Sequence, residues 1–187
     1  MSATDATTAD RILEAALEVL AQRGIAGVSM RAVAQQADVA LGLANYHFAN
    51  KTALIAAALR QIGAKDLELV AAAPSDDPAH ALRESLHQAL APAFLTPSYL
   101  SLRLQLWSLA GVDSTFAEIN QTAQLRYLDG LRRLLAAARP DLTDDEVAER
   151  AADILIEQNG VWLTAVLISD PSAIARALAR TESIAFD

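Results

Sequence analysis

Apolar residues recur at helical spacing along most of this chain. Near the N-terminus, a stripe with i, i+4, i+7, i+8 spacing is formed by Ile12, Ala16, Val19 and Leu20. Gly24 follows at a position suited to end that helix. No segment combines sustained apolar–polar alternation with the β-branched residues that favour strands. The pattern predicts an all-α protein of about nine helices.

Several later helix starts are marked by a capping residue directly before the first helical position. Three such pairs end in proline, which suits the first turn of a helix, namely Asp77–Pro78, Thr96–Pro97 and Asp170–Pro171. Asn50 precedes Lys51 in the same way, and the run from Thr143 to Glu146 has the pattern of a capping box.

Residues 29–48 have the pattern of two short helices joined by a tight turn. Ser29 can cap the first helix, and Asp38 lies at the turn, where a left-handed backbone is needed. The second helix is predicted at about 40–48. Because helix-turn-helix units place their second helix in the major groove, this segment predicts DNA binding.

The charge distribution agrees with a confined DNA contact. The net charge of −8 argues against a general nucleic-acid coat, but residues 22–65 hold five basic side chains and a single acidic one. A local basic segment within an acidic chain is what a small DNA-binding surface needs. Chance variation in composition is the alternative explanation.

From Ile12 to Leu59 the chain resembles the TetR family of bacterial transcriptional regulators. The residues behind this resemblance are Ile12-Leu13, Ala15-Ala16, Gly24, Ser29-Met30-Arg31, Ala34, Val39, Gly42, Asn45-Tyr46-His47-Phe48 and Asn50-Lys51-Thr52-Ala53-Leu54. The family's usual Gly-Val-Ser turn is altered here, because Asp38 replaces glycine and Ala40 replaces serine.

The resemblance implies an architecture and a function. It implies a three-helix DNA-binding head at residues 1–54 and a larger helical ligand-binding and dimerisation domain at 55–187. The expected activity is that of a homodimeric repressor, released from a palindromic double-stranded operator by a small-molecule effector whose identity the sequence does not give.

The resemblance also implies DNA-contacting residues. Phosphate contacts are expected at Lys51, which begins a helix and so lies near free backbone N–H groups, and at the pair Tyr46 and His47. The full predicted set is Ser29, Arg31, Leu41, Gly42, Leu43, Asn45, Tyr46, His47 and Lys51. Arg31 also fits a solvated surface charge, Leu43 a helix-packing residue, and His47 a structural histidine.

A long helix predicted at 143–169 has a seam suited to pairing with another helix. Its apolar positions follow spacings of 4 and 3, and with the preceding helix they give a predicted dimer interface of Leu128, Leu131, Leu135, Val147, Ala151, Ile154, Gln158, Val161, Ala165 and Ile168. Two helices from each subunit would form this interface. A bundle within one chain is the alternative.

Aromatic and polar residues interrupt the apolar helices at positions that suit a ligand pocket. The candidates are Arg103, Trp107, Tyr127, Glu157, Asn159 and Trp162. Aromatic rings with a carboxylate suit a cationic amine, whereas Arg103 suits a carboxylate. The surroundings of Trp107 loosely resemble the choline-responsive, BetI-like subgroup. Each candidate also fits a role in the core or at an interface.

Other classes of protein have less support. Cysteine is absent, the three histidines lack metal-ligand spacing, and neither a phosphate-binding glycine loop nor a Gly-x-Ser-x-Gly motif occurs. We therefore expect no enzyme activity, no cofactor and no metal. No apolar run approaches the roughly 20 residues of a membrane span, so we expect a cytoplasmic protein that does not bind membranes. An unmarked enzyme and a helical interaction module without DNA binding remain alternatives.

Overall fold

Nine α-helices make up most of the chain in the computed structural model, which describes residues 3–71, 76–168 and 170–187. They are α1 (Ala3–Gly27), α2 (Met30–Gln36), α3 (Leu41–His47), α4 (Lys51–Leu69), α5 (Pro78–Ala89), α6 (Pro97–Ser108), α7 (Ser114–Ala138), α8 (Asp144–Leu167) and α9 (Pro171–Phe186). The described residues form no strand, so the predicted all-α fold is confirmed.

The predicted caps form hydrogen bonds at the helix starts. Ser29 Oγ accepts the N–H of Ala32 at 3.1 Å, and Asn50 Oδ1 accepts the N–H of Ala53 at 2.9 Å. At the start of α8, Thr143 and Glu146 bond to each other's backbone N–H groups, which completes the capping box. These bonds satisfy N–H groups that have no acceptor within the helix.

Gly24 interrupts α1. Its φ of 67° and ψ of 178° lie outside the helical region, so the chain turns sharply there. A positive φ is accessible to glycine at little cost because it has no Cβ. The predicted end of the first helix is therefore found at Gly24, and a short further turn follows it.

The helices form two compact units. The first unit comprises Met1–Ile62 with Ser101–Asn120, and the second comprises Gly63–Leu100 with Gln121–Asp187. Helices α4, α6 and α7 each contribute residues to both units. The first unit therefore extends beyond the DNA-binding head predicted at 1–54, and the functional boundary at residue 54 stays a prediction.

The core of the first unit is apolar and built from six helices. Its fully buried side chains include Ile12, Leu20, Val33, Ala44 and Leu54. Leu106 of α6 and Phe116 of α7 are buried in the same cluster. Since burial of a large apolar side chain is worth about 1.5–3 kcal/mol, this cluster fixes the helix-turn-helix on α1, α4 and α6.

The second unit is centred on α7, α8 and α9. Leu131, Leu135 and Ile154 are fully buried there. Gly130 allows α7 to approach the end of α4 closely, because a Cβ at that position would lie 2.4 Å from Val70 Cγ2. Within the described ranges, no helix is long and apolar enough to cross a membrane.

Candidate DNA-binding surface

The turn between α2 and α3 adopts the predicted left-handed conformation. Asp38 has a φ of 52° and is the one non-glycine residue with positive φ in the described part of the chain. The N–H of Val39 donates to the carbonyl of Ala34 at 3.0 Å, which closes the turn. The two short helices are thereby joined in a fixed arrangement.

One side of α3 is open to solvent. Ala44 is fully buried against the core, whereas Leu41 and Leu43 are 38% and 39% exposed and Tyr46 is 76% exposed. We call this exposed side the α3 face; it comprises Leu41, Gly42, Leu43, Asn45 and Tyr46. Among the described residues, a Cβ built on Gly42 would meet no atom within 4 Å beyond the adjoining backbone, so the space next to Gly42 is open.

The structure distinguishes the two members of the predicted aromatic pair. The rings of Tyr46 and His47 meet edge to face, with centroids 5.2 Å apart. His47 is half-buried, and its Nε2 is buried without a hydrogen-bond partner among the described residues. Tyr46 is therefore the more exposed member of the pair, and the Nε2 of His47 is turned away from solvent.

Lys51 is held in place beside the turn. Its Nζ donates to the backbone carbonyl of Ile25 at 2.8 Å, and its side chain is half-buried at the start of α4. An ammonium group has three donors, so two remain for a phosphate. Arg31 and Ser29 are exposed at the start of α2, where the Ser29 hydroxyl serves as the cap.

Two further contacts fasten the helix-turn-helix to α1. Arg11 Nη2 donates to the carbonyl of Ala37 at 2.9 Å, at the C-terminal end of α2. Gln36 Nε2 donates to Glu18 Oε2 at 2.7 Å. The sequence analysis missed both, although Arg11 is the single basic residue among residues 1–21. A cation is favourable at the negative end of a helix.

Comparison with known proteins identifies the family. The sequence family described as bacterial regulatory proteins, tetR family, matches residues 12–65. The HTH-type transcriptional repressor KstR of Rhodococcus jostii (strain RHA1) is 30% identical over 162 residues, which cover 82% of this chain and 72% of KstR. The chain belongs to the tetR family. The expected resemblance is thereby confirmed, together with the helix-turn-helix head and the role of DNA-binding transcriptional regulator.

Two other tetR-like comparisons extend over nearly the whole chain. The HTH-type transcriptional regulator BetI of Burkholderia thailandensis is 24% identical over 165 residues, covering 86% of this chain and 83% of BetI. The crystal structure of the multidrug binding protein EbrR complexed with malachite green has a TM-score of 0.69 and 27% identity, covering 95% of this chain and 97% of EbrR. The two relatives identified by sequence are named as transcriptional regulators, not as enzymes.

The candidate ligand residues are divided between the two units. In the first unit Arg103 is buried, with its guanidinium carbon 5.5 Å from the centre of the Trp107 ring. In the second unit Trp162 is buried, and its Nε1 donates to the carbonyl of Ala89 at 3.1 Å. The second unit also holds Tyr127, Glu157 and Asn159.

A buried polar group in the second unit includes a residue that the sequence analysis assigned elsewhere. The Tyr127 hydroxyl donates to Gln158 Oε1 at 2.9 Å, and Gln158 is fully buried. Within the described ranges, Gln158 Nε2 and Asn159 Oδ1 are both buried without a partner. An amide that interrupts an apolar seam is the sequence signal by which Gln158 could have been found.

The residues of the predicted dimer seam differ in how far the chain itself covers them. Seven of them are buried within the chain itself, namely Leu131, Leu135, Val147, Ala151, Ile154, Gln158 and Val161. Leu128 and Ala165 are half-buried, and Ile168 is exposed. Much of the seam is therefore enclosed within the second unit, where α9 packs against α8. The dimer interface itself stays a prediction.

A different side of α8 is exposed. Ile156, Leu163 and Leu167 are apolar and exposed there, and exposed Gly160 lies between them in sequence. A cleft of about 400 Å³ between α8 and α9 adjoins this side. Ile156 and Gly160 line it together with Glu157, Asp170 and Ile174. Glu157 thus lines an open cleft at the surface of the second unit.

Proposed function

We propose that this chain is a ligand-responsive repressor that binds a palindromic operator as a homodimer. The single observation that supports DNA binding best is the α3 face, which is exposed on a helix-turn-helix held rigidly by buried apolar residues. The relative KstR is named a transcriptional repressor. Repression is therefore the favoured direction of regulation.

The α3 face offers few hydrogen bonds to bases. Asn45 can pair with a base edge, and Leu41 and Leu43 can contact thymine methyl groups in the major groove. Arg31, exposed at the start of α2, suits guanine. Tyr46 and Lys51 supply phosphate contacts, which position the helix without selecting a base.

The dimer is proposed to form through the exposed side of α8. Ile156, Gly160, Leu163 and Leu167 follow spacings of 4, 3 and 4, so they lie on one stripe. Glycine inside a helix costs roughly 0.5–1 kcal/mol relative to alanine. A close approach of a second α8 would explain the glycine at position 160. Among the described residues, a Cβ there would meet no atom within 4 Å beyond the adjoining backbone of α8.

The effector is proposed to bind beside the buried polar group of the second unit. Gln158 Nε2 is a donor and Asn159 Oδ1 is an acceptor, and both are unsatisfied among the described residues. Buried polar atoms are almost always satisfied by protein, water or ligand. A small molecule with an acceptor and a donor next to an apolar body, bounded by Tyr127 and Trp162, would satisfy them.

The proposed function is tested by DNA binding at two salt concentrations. Purified protein is titrated with the DNA upstream of its own gene, in the presence of random competitor DNA. We expect binding that resists the competitor and weakens steeply as salt rises, because phosphate contacts release counterions. Absence of any binding at low salt would contradict the proposal.

A further inference from the structure

The break in α1 is contacted by a side chain from another helix. Gln105 of α6 lies against Gly24, where a Cβ would be 3.1 Å from Gln105 Oε1. Gln105 Oε1 accepts the N–H of Ile25 at 3.1 Å. Its Nε2 donates to Ser101 Oγ at 3.1 Å and to the carbonyl of Leu20 at 3.4 Å. One amide therefore bonds backbone groups on both sides of the break.

The same peptide segment also holds Lys51. The carbonyl of Ile25 accepts from Lys51 Nζ at 2.8 Å, while the N–H of Ile25 donates to Gln105. Ile25 thus connects α6 with the first residue of α4 through two hydrogen bonds. All three residues lie in the first unit.

We infer that Gln105 is a positioning residue for DNA binding, because it fixes Ile25 and thereby the ammonium group of Lys51. Gly24 adopts its φ of 67° at little cost because it has no Cβ, so the backbone on either side of the break depends on contacts such as those of Gln105 for its position. A displacement of α6 would pull on the N–H of Ile25 and move the carbonyl that holds Lys51. Through Gln105, a movement of α6 therefore changes the position of Lys51 and its contact with a DNA phosphate.

This inference rests on the proposed function, since the position of Lys51 matters for DNA only if Lys51 contacts a phosphate. Substitution of Gln105 by leucine removes the amide acceptor and the amide donor and keeps a side chain of similar volume. Substitution by glutamate keeps an acceptor for Ile25. Gln121→Leu is the matched control, because Gln121 is exposed on α7.

The experiment measures the affinity of each variant for the upstream DNA fragment over a range of salt concentrations, at a temperature where circular dichroism shows all variants folded. We expect Q105L to raise Kd about tenfold and to lower the slope of log K against log salt by about one, the loss of one phosphate contact. Q105E should stay within about threefold of the wild type, and Q121L should be unchanged.

A double variant separates positioning from general destabilisation. If Gln105 acts through Lys51, the combination Q105L/K51M lowers affinity no further than K51M alone. Additive losses, or wild-type affinity and slope in Q105L, would overturn the inference and leave the proposed function intact. Failure of the wild-type chain to bind the fragment would instead overturn the proposed function.

If Q105L does not fold, Ser101→Ala provides a second test. It removes the hydroxyl that accepts a hydrogen bond from Gln105 Nε2. The amide oxygen that accepts the N–H of Ile25 stays in the chain. We expect a Kd raised about twofold to threefold and faster hydrogen exchange of the Ile25 amide. Unchanged exchange at that amide would overturn the inference.

Discussion

At the scale of single residues, Asp38 adopts a backbone conformation that most side chains avoid. Its φ of 52° lies in the left-handed region, which costs roughly 1–2 kcal/mol for an ordinary residue and less for Asp and Asn. The sequence predicted this position because a tight turn was needed between two short helices. The family's usual glycine is therefore replaced at tolerable cost.

Substitutions at Asp38 test this conformation. We expect Asp38→Gly to change the free energy of unfolding by less than about 1 kcal/mol, because easier access to positive φ offsets the greater entropy of the unfolded chain. Asp38→Val should lower it by about 1–2 kcal/mol. Urea unfolding measures both. A valine variant as stable as the wild type would argue against the left-handed turn.

A substitution at Tyr46 should change the affinity for DNA without changing the stability of the fold. Because its ring is largely exposed, Tyr46→Phe should leave the free energy of unfolding within about 0.5 kcal/mol of the wild type. Loss of a hydroxyl bond to a charged phosphate should raise Kd for operator DNA about tenfold. Val112→Ala, at another exposed position, is the control for a neutral surface change. Unchanged DNA affinity in Tyr46→Phe would remove Tyr46 from the interface.

At the scale of elements, the C-terminal end of α9 is held by two arginines. Arg139 Nη1 donates to the carbonyl of Ala185 at 3.1 Å, and Arg150 Nη1 donates to that of Ile184 at 2.8 Å. Arg139 also forms an ion pair with Asp141, with 2.8 Å between Nη2 and Oδ2. The hydrogen bond from Arg139 lowers the pKa of Asp141 from 3.8 to about 2.

This pair predicts a pH dependence. Because the pKa of Asp141 is lower in the folded chain than in the unfolded chain, its contribution to stability is present above about pH 4 and is lost as the pH falls toward 2. Asp141→Asn should therefore lower Tm at pH 7, and its difference from the wild type should shrink as the pH falls below 4 and vanish below about pH 2. Thermal melts at several pH values measure this.

The control for that comparison is Asp153→Asn, which neutralises an exposed carboxylate of α8. It should leave the pH profile close to that of the wild type. A profile for Asp141→Asn that parallels the wild type across the acid range would show that the ion pair contributes nothing.

At the scale of the whole molecule, α8 shows how a helix can have apolar residues on more than one side. The side with Ala151 and Ile154 is buried by the chain's own helices, whereas the side with Ile156, Leu163 and Leu167 is exposed. Ile156 and Leu167 are 68% and 72% exposed. A second subunit is the proposed cover for them.

A charge on that side should prevent dimerisation. We expect Leu163→Glu to sediment as a monomer at micromolar concentration, because pairing would bury an unpaired carboxylate. Its affinity for the two-half-site operator should fall at least tenfold, since one helix-turn-helix contacts a single half-site. Val112→Glu, exposed in the first unit, is the matched control. A dimeric Leu163→Glu variant would place the interface elsewhere.

The sequence alone determined the helices, their caps, the left-handed turn and the family. These features depend on neighbouring residues, since a cap, a proline or an apolar repeat acts within a few positions along the chain. The sequence alone did not determine which side of α8 is covered or that Gln158 is enclosed. Nor did it determine that His47 Nε2 is buried or that Gln105 bonds to Ile25. Those outcomes depend on residues far apart in sequence, and only the packing of whole helices brings them together.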